Sequence, residues 1–169
     1  LYERHAAIEL LLELRNMANE ASPLLEQIRP LDCIFSMPPG PCTIHHALGE
    51  FNSERSFMPV DDPLDTEKAP SLVIAPRGGR SSDEHVPFFN AHWEGGGVVV
   101  AIGWAGQWET RFRCEEGNRL RVDCGMQKTR LRLHPGETIR TPRVLLEFWR
   151  GADALRGNNL FRQWMLAHN

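Results

Sequence analysis

Apolar and polar residues alternate along most of the second half of the chain, with the period of half-buried β-strands. Such runs cover residues 110–113, 119–122 and 130–133; residues 98–104 alternate large apolar residues with Val99, Ala101 and Gly103, and residues 144–149 make a further strand. Turn residues bound these runs, at 116–118, 123–125 and 134–137. Short strands separated by turns are typical of an antiparallel sheet, so we predict an all-β fold, most simply a sandwich.

The first segment, residues 5–16, is rich in Leu and Glu, and residue propensity alone favours a helix there. Its period favours a half-buried strand instead. The apolar positions of that strand are Ile8, Leu10, Leu12 and Leu14. Residues 24–35 form a second candidate strand, which Pro30 confines to a sheet edge or a bulge. A helix remains the alternative for both segments.

Two further regions depart from the strand pattern. Residues 36–87 hold most of the prolines, so we expect an irregular region with short strands such as 71–75. The last segment predicts a helix over 158–168, with Asn158 as its cap. Its apolar face comprises Leu160, Phe161, Trp164 and Met165.

The length, composition and net charge of the chain limit the classes of protein and ligand that it fits. The chain has 169 residues, 41% of them hydrophobic, which is enough for one domain with its own core. Its net charge of -3 argues against non-specific binding to nucleic acid or to an anionic membrane. No apolar run approaches the ~20 residues that span a bilayer. We therefore expect a neutral or small ligand.

The metal-binding residue types do not form a recognisable site. Cys33, Cys42, Cys114 and Cys124 are too far apart for a zinc knuckle. We expect reduced, structural thiols, which point weakly to the cytoplasm, although two disulfides remain the alternative. The adjacent His45 and His46 would point to opposite faces of a strand, so we predict no metal and no cofactor.

A turn with two indoles is the first candidate binding feature. Trp104, Gln107 and Trp108 lie between two predicted strands, where indoles stack on sugars and the amide binds hydroxyls. The alternative is that both indoles belong to the core.

A glycine-containing loop is the second candidate. Gly78 and Gly79 allow a ligand to approach the backbone, and Arg80 and Ser81 follow with polar groups. The phosphate-loop spacing is absent, and a tight, internally bonded loop is the alternative. The alternating arginines at 111/113, 119/121 and 130/132 form either an anion-binding stripe or, more simply, a solvated face paired with acidic residues.

Several segments, taken in order, resemble the N-terminal domain of glycoside hydrolase family 36, the α-galactosidases and related α-N-acetylgalactosaminidases. The residues that carry the resemblance are 23–32, 79–82, 87–90, 101–108, 134–142 and 159–168. The resemblance implies a β-supersandwich over residues 1–157, incomplete at its N-terminus. It also implies that the helix over 158–169 leads to a catalytic (β/α)8 barrel that this chain lacks.

The same resemblance implies a non-catalytic role. The two catalytic aspartates of such enzymes lie on barrel strands, so we expect no catalytic residue here, and Asp83 is rejected as one. The parent would be a retaining hydrolase of terminal α-galactosides and a homo-oligomer. Candidate contacts to the sugar are Arg80, Ser81, Trp104, Gln107 and Trp108. The alternatives are a free-standing carbohydrate-binding module and a purely structural oligomerisation domain.

Overall fold

The computed structural model describes residues 2, 4–50 and 52–168. Within these residues the chain forms fourteen strands and one helix. The strands are β1 (Ala7–Leu10), β2 (Glu13–Arg15), β3 (Leu25–Glu26), β4 (Leu31–Ser36), β5 (Cys42–Leu48), β6 (Pro59–Leu64), β7 (Ser71–Ile74), β8 (His85–Trp93), β9 (Gly96–Gly103), β10 (Trp108–Glu115), β11 (Arg119–Met126), β12 (Arg130–Leu131), β13 (Thr138–Arg140) and β14 (Arg143–Arg150). The helix, α1, spans Leu155–His168. The predicted all-β class is confirmed.

Two antiparallel sheets face each other across the main core. The larger has six strands in the order β1-β14-β9-β8-β5-β6, and the smaller has four in the order β4-β11-β10-β7, counting the described residues. Ile44, Phe89 and Val100 of the larger sheet pack in one cluster with Phe112 and Val122 of the smaller. The predicted sandwich is therefore present.

The centre of the larger sheet is buried on both faces. In β9, Val98, Val100 and Ile102 join the main core, while Val99 and Ala101 point the other way and are also buried. A run of apolar residues without polar alternation is typical of a strand covered on both sides. The architecture is thus three layers, with the six-stranded sheet in the middle.

Helix α1 forms the third layer. Phe161 is buried against the sheet, and Leu160, Trp164 and Met165 pack around it, which confirms the predicted apolar face. The predicted cap was wrong: Asp153 caps the helix, because its Oδ1 accepts a hydrogen bond from Leu155 N at 3.0 Å. No helix among the described residues is both long enough and apolar enough to cross a membrane.

The first segment is extended, as predicted, but it is broken at residues 11–12. β1 pairs with β14 in the larger sheet, and β2 pairs separately with β13. The predicted apolar face of β1 was wrong at Ile8, which is 37% exposed, whereas Ala7 is 2% exposed. Ala7 is the buried one because it faces the layer of α1.

The second segment divides around Pro30 into β3 and β4. β4 lies at the edge of the four-stranded sheet, as the proline predicts.

The short strand predicted at 71–75 is present as β7, but the region 36–87 is more regular than expected. This region contains β5, β6 and β7 and the start of β8. Pro59 and Pro63 lie in β6, an edge strand, where a missing N–H need not interrupt a hydrogen-bonded ladder. The turn predicted at 123–125 was also wrong, because those residues belong to β11.

The four cysteines are free. Cys42 and Cys124 are buried, and Cys33 and Cys114 are half-buried. Burial raises the pKa of the Cys33 thiol to about 11 and that of Cys42 to about 12. Both thiols are therefore protonated, and unreactive as nucleophiles, at neutral pH.

Asn90 joins the sheet to the helix. It is 2% exposed, and its Oδ1 accepts a hydrogen bond from Trp149 Nε1 at 2.9 Å. Its Nδ2 donates to Ala154 O at 2.9 Å and to Asn158 Oδ1 at 3.1 Å. Gly157 lies against the same group, so close that a Cβ there would lie 2.4 Å from Trp149 Nε1 and 2.8 Å from Asn90 Nδ2.

We predict that Gly157→Ala lowers the free energy of unfolding by about 1–3 kcal/mol, because the overlap with Trp149 and Asn90 outweighs the gain in helix propensity. Urea denaturation measures the change. The control is Gly103→Ala, whose Cβ would meet Arg143 at an ordinary 3.5 Å and should shift stability by less than about 0.5 kcal/mol. A Gly157→Ala chain as stable as the original would contradict this close approach.

Candidate functional site

Two loops predicted to bind a ligand meet at Gln107. Its Nε2 donates to Pro76 O and, at 2.8 Å, to Gln127 Oε1. Its Oε1 accepts from Gly79 N at 2.8 Å. The amide therefore joins the loop that precedes β8 to the turn that precedes β10. Gln107 is engaged within the chain, and whether it also touches a ligand stays a prediction.

Trp108 lies beneath the same loop. Its side chain is 0% exposed and packs edge-on against Phe89, with ring centroids 5.6 Å apart. Its Nε1 donates to Ser81 O at 2.7 Å. The expectation that Trp108 stacks on a sugar fails on this geometry, because neither face of the indole is accessible. The core alternative holds.

Backbone hydrogen bonds also hold the glycine-containing loop on its other side. Gly49 N donates to Glu84 O at 2.7 Å, and Glu50 N donates to Ser82 O at 2.9 Å. Gly49 permits this contact, since a Cβ there would overlap the backbone of Ser82. Within the glycine-containing loop, Asp83 N donates to Arg80 O at 3.3 Å, so the loop is tight, bonded internally and bonded to the body of the sandwich.

Four of the five predicted residues keep some exposed surface: Arg80 is exposed, and Ser81, Trp104 and Gln107 are half-buried. The side chain of Arg80 is 73% exposed and lies 3.7 Å from Asp83 Oδ1. Trp104 is half-buried and packs against the main core. The Asp83 carboxylate lies against Gly78, where a Cβ would overlap it. Direct contact of Arg80, Ser81 or Trp104 with a substrate remains a prediction.

A polar cleft of about 430 Å³ opens beside Gln107. Its polar lining residues are Arg77, Glu84, His85, Gln107, Glu109, Gln127 and Lys128. His85 Nδ1 is buried without a hydrogen-bond partner. Burial, and then the neighbouring His46, lower the pKa of His85, so its ring is neutral at pH 7 and offers both a donor and an acceptor. This chemistry fits hydroxyl groups.

Histidines and aspartates pair across β5 and β6. His45 Nδ1 lies 2.7 Å from Asp61, and His46 Nε2 lies 2.9 Å from Asp62. Each histidine has its own carboxylate, and no group of three or more metal-ligating side chains is assembled among the described residues. The sequence pattern does not predict these pairs, because the two prolines within residues 59–64 argue against a strand there.

Five of the six alternating arginines pair with acidic residues on a solvated face, as the simpler interpretation predicted, and Arg132 donates to Ser22 O at 3.0 Å instead. Asp123, 4% exposed, is the centre of this face, and its Oδ2 lies 2.9 Å from Arg113. The other pairs include Arg111 with Glu109, Arg119 with Glu115, Arg121 with Asp32, and Arg130 with Glu26. Pairing leaves little net charge to attract an anion.

The sequence pattern does not point to one buried acid, Glu147. Glu147 is 1% exposed in the middle of β14, and His5 Nδ1 lies 2.9 Å from its Oε1. The available signal was a single carboxylate inside an otherwise apolar strand, at residues 144–149.

No family model and no curated protein matches this sequence. Solved structures do match the fold. The galactosidase domain of the α-galactosidase-sucrose kinase AgaSK aligns with a TM-score of 0.69 and 17% identity, over 86% of this chain and 20% of that chain. The family 36 α-galactosidase AgaA from Geobacillus stearothermophilus aligns with a TM-score of 0.69 and 20% identity, over 89% and 21%.

The α-galactosidase from Lactobacillus brevis aligns with a TM-score of 0.74 and 15% identity, over 90% of this chain and 20% of that one. The chain shares its fold with a segment of the α-galactosidases. It spans about a fifth of the length of each of these three α-galactosidase chains.

We predict that Gln107→Ala lowers the free energy of unfolding by about 1–3 kcal/mol, because it leaves the Gly79 amide and the Pro76 carbonyl without their partner. Hydrogen exchange at the Gly79 amide should accelerate by about tenfold. The control is Gln163→Ala, which removes an exposed amide on α1 and should leave both quantities unchanged. An unaltered exchange rate at the Gly79 amide would contradict the inference that the Gln107 side chain holds the two loops together.

Proposed function

We propose that this chain is the non-catalytic, N-terminal β-sandwich domain of an α-galactosidase-like glycoside hydrolase that cleaves terminal α-galactosides. The observation that carries the proposal is the structural match, which covers about nine-tenths of this chain and about one-fifth of each matched α-galactosidase. A segment of that size leaves room for a catalytic (β/α)8 barrel of ~250 residues elsewhere in the parent.

The geometry of the loops supports a non-catalytic role for this chain. A retaining glycosidase needs an acid and a nucleophile ~5 Å apart. Asp83 instead packs against Gly78 and lies near Arg80, in a loop bonded to the body of the sandwich. We propose that the barrel supplies both catalytic carboxylates, and that Arg80 and the exposed part of Trp104 extend the rim of the substrate cleft.

The burial of Trp108 argues against a free-standing carbohydrate-binding module, because a two-indole platform needs both rings exposed. Exposed apolar side chains at Phe57 and Met58, 57% and 47% accessible, support a subunit contact in the parent. The free thiols support a reducing compartment such as the cytoplasm.

We predict that the isolated chain releases no galactose from melibiose, whereas the proposed full-length parent enzyme does. A coupled galactose dehydrogenase assay measures the release. Turnover by the isolated chain would contradict the proposal, as would a parent sequence with no barrel pattern.

Calorimetry distinguishes the alternative module. Under our proposal, galactose and melibiose give no saturable heat with the isolated chain. Saturable binding that Trp104→Ala abolishes would instead support a carbohydrate-binding module.

A further inference from the structure

A second cleft, separate from the one beside Gln107, lies against the layer of α1. It has a volume of about 680 Å³, within the range of small-molecule sites. Four elements enclose it: the residues before β1, the turn between β8 and β9, the end of β14 and the start of α1. None of the residues predicted from the sequence to contact a ligand lines it.

Glu147 contributes a buried acid to this cleft. Its Oε1 is engaged by His5, whereas its Oε2 is buried and has no hydrogen-bond partner. Buried carboxylate oxygens are normally satisfied by donors, because an unmet acceptor loses its solvation without compensation. Burial raises the pKa of Glu147, which is the expected consequence of that incomplete solvation. The carboxyl group of Glu147, in the lining of the cleft, therefore has one acceptor atom that no described residue satisfies.

Three cations surround the same cleft. Arg4, Arg150 and Arg156 all line it, and all three are exposed. None of them makes an ion pair with another described residue, in contrast to the arginines of the solvated face. Among the described residues that line the cleft, the one other acid is Glu94, so these side chains carry more positive than negative charge.

The walls supply apolar surface. Trp93 is half-buried and Leu160 is partly exposed, and both line the cleft. Gly96 and Gly97 lie so close to Trp149 that a Cβ on either would overlap it, so Trp149 fills the space beside that backbone. Trp93 and Leu160 therefore supply the apolar surface on which a ligand can pack.

We propose that this cleft binds a small organic anion that also carries hydroxyl groups, such as a sugar acid. The arginines bind the anionic group, for which the planar guanidinium is suited, and Glu147 accepts a hydrogen bond from a hydroxyl. An anion without hydroxyls leaves the acceptor of Glu147 unmet. A neutral sugar leaves the three arginines without a counter-charge. This inference does not rest on the proposed function.

Three probes of matched shape test the chemistry by isothermal titration calorimetry on the whole chain. D-glucuronate carries both the carboxylate and the hydroxyls, D-glucose lacks the charge, and cyclohexanecarboxylate lacks the hydroxyls. We expect saturable binding of glucuronate, at least about tenfold tighter than either of the others, and weaker at high salt. Equal binding of glucuronate and cyclohexanecarboxylate would overturn the proposal, as would equal binding of glucuronate and glucose or no saturable binding of glucuronate.

Substitutions of lining residues test whether the ligand binds in this cleft. Arg150→Gln and Arg156→Gln should each weaken glucuronate binding by about tenfold, the usual effect of losing one charge-assisted hydrogen bond. Arg162→Gln is the matched control: it removes an exposed arginine of the same helix that does not line the cleft, and it should leave the affinity unchanged. Glu147→Gln should also weaken binding, and its thermal melt separates a folded variant from an unfolded one. An affinity unaffected by both Arg150→Gln and Arg156→Gln would overturn the proposal.

Discussion

The burial of one sheet on both faces is the constraint on which the rest of this structure depends. β9 lies at its centre and pairs with β14, with Leu146 opposite Val100 in antiparallel register. One face needs the four-stranded sheet and the other needs α1, because apolar side chains on both faces must leave water together. Asn90 sets the relation of the helix to the sheet, since its amide binds Trp149 on one side and the start of α1 on the other.

The need to bury apolar side chains also fixes the loops at one end of the sandwich. Trp108 fills the core beneath them, and its indole N–H binds the carbonyl of Ser81. Gln107 then joins the two loops through its amide. Residues that resemble a sugar-binding set by type thus act mainly to hold loops in place. That arrangement suits a domain that shapes a surface for a neighbouring catalytic domain, which is the role we propose.

The two clefts differ in the state of their polar groups. Beside Gln107, hydrogen bonds and the ion pair of Arg77 with Glu84 satisfy most of the polar lining, and His85 Nδ1 is the buried atom there that has no partner among the described residues. In the cleft that Glu147 lines, three arginines have no acidic partner and one buried carboxylate oxygen has no donor among the residues that the structure describes. Polar groups that the fold leaves unmet are the ones that a ligand can satisfy, so we place the new binding inference there.

The sequence by itself determined the strands of the second half, the helix face that carries Phe161 and the edge position next to Pro30. Each depends on local periodicity or on the missing N–H of proline, which neighbouring residues alone define. Only the tertiary structure decided that β6 tolerates its prolines as an edge strand, that Ala7 rather than Ile8 is buried, and that Glu147 lies in a cleft. Those outcomes depend on which surface covers each face, and the covering residues lie far away in the chain: Glu147 meets His5 across 142 positions.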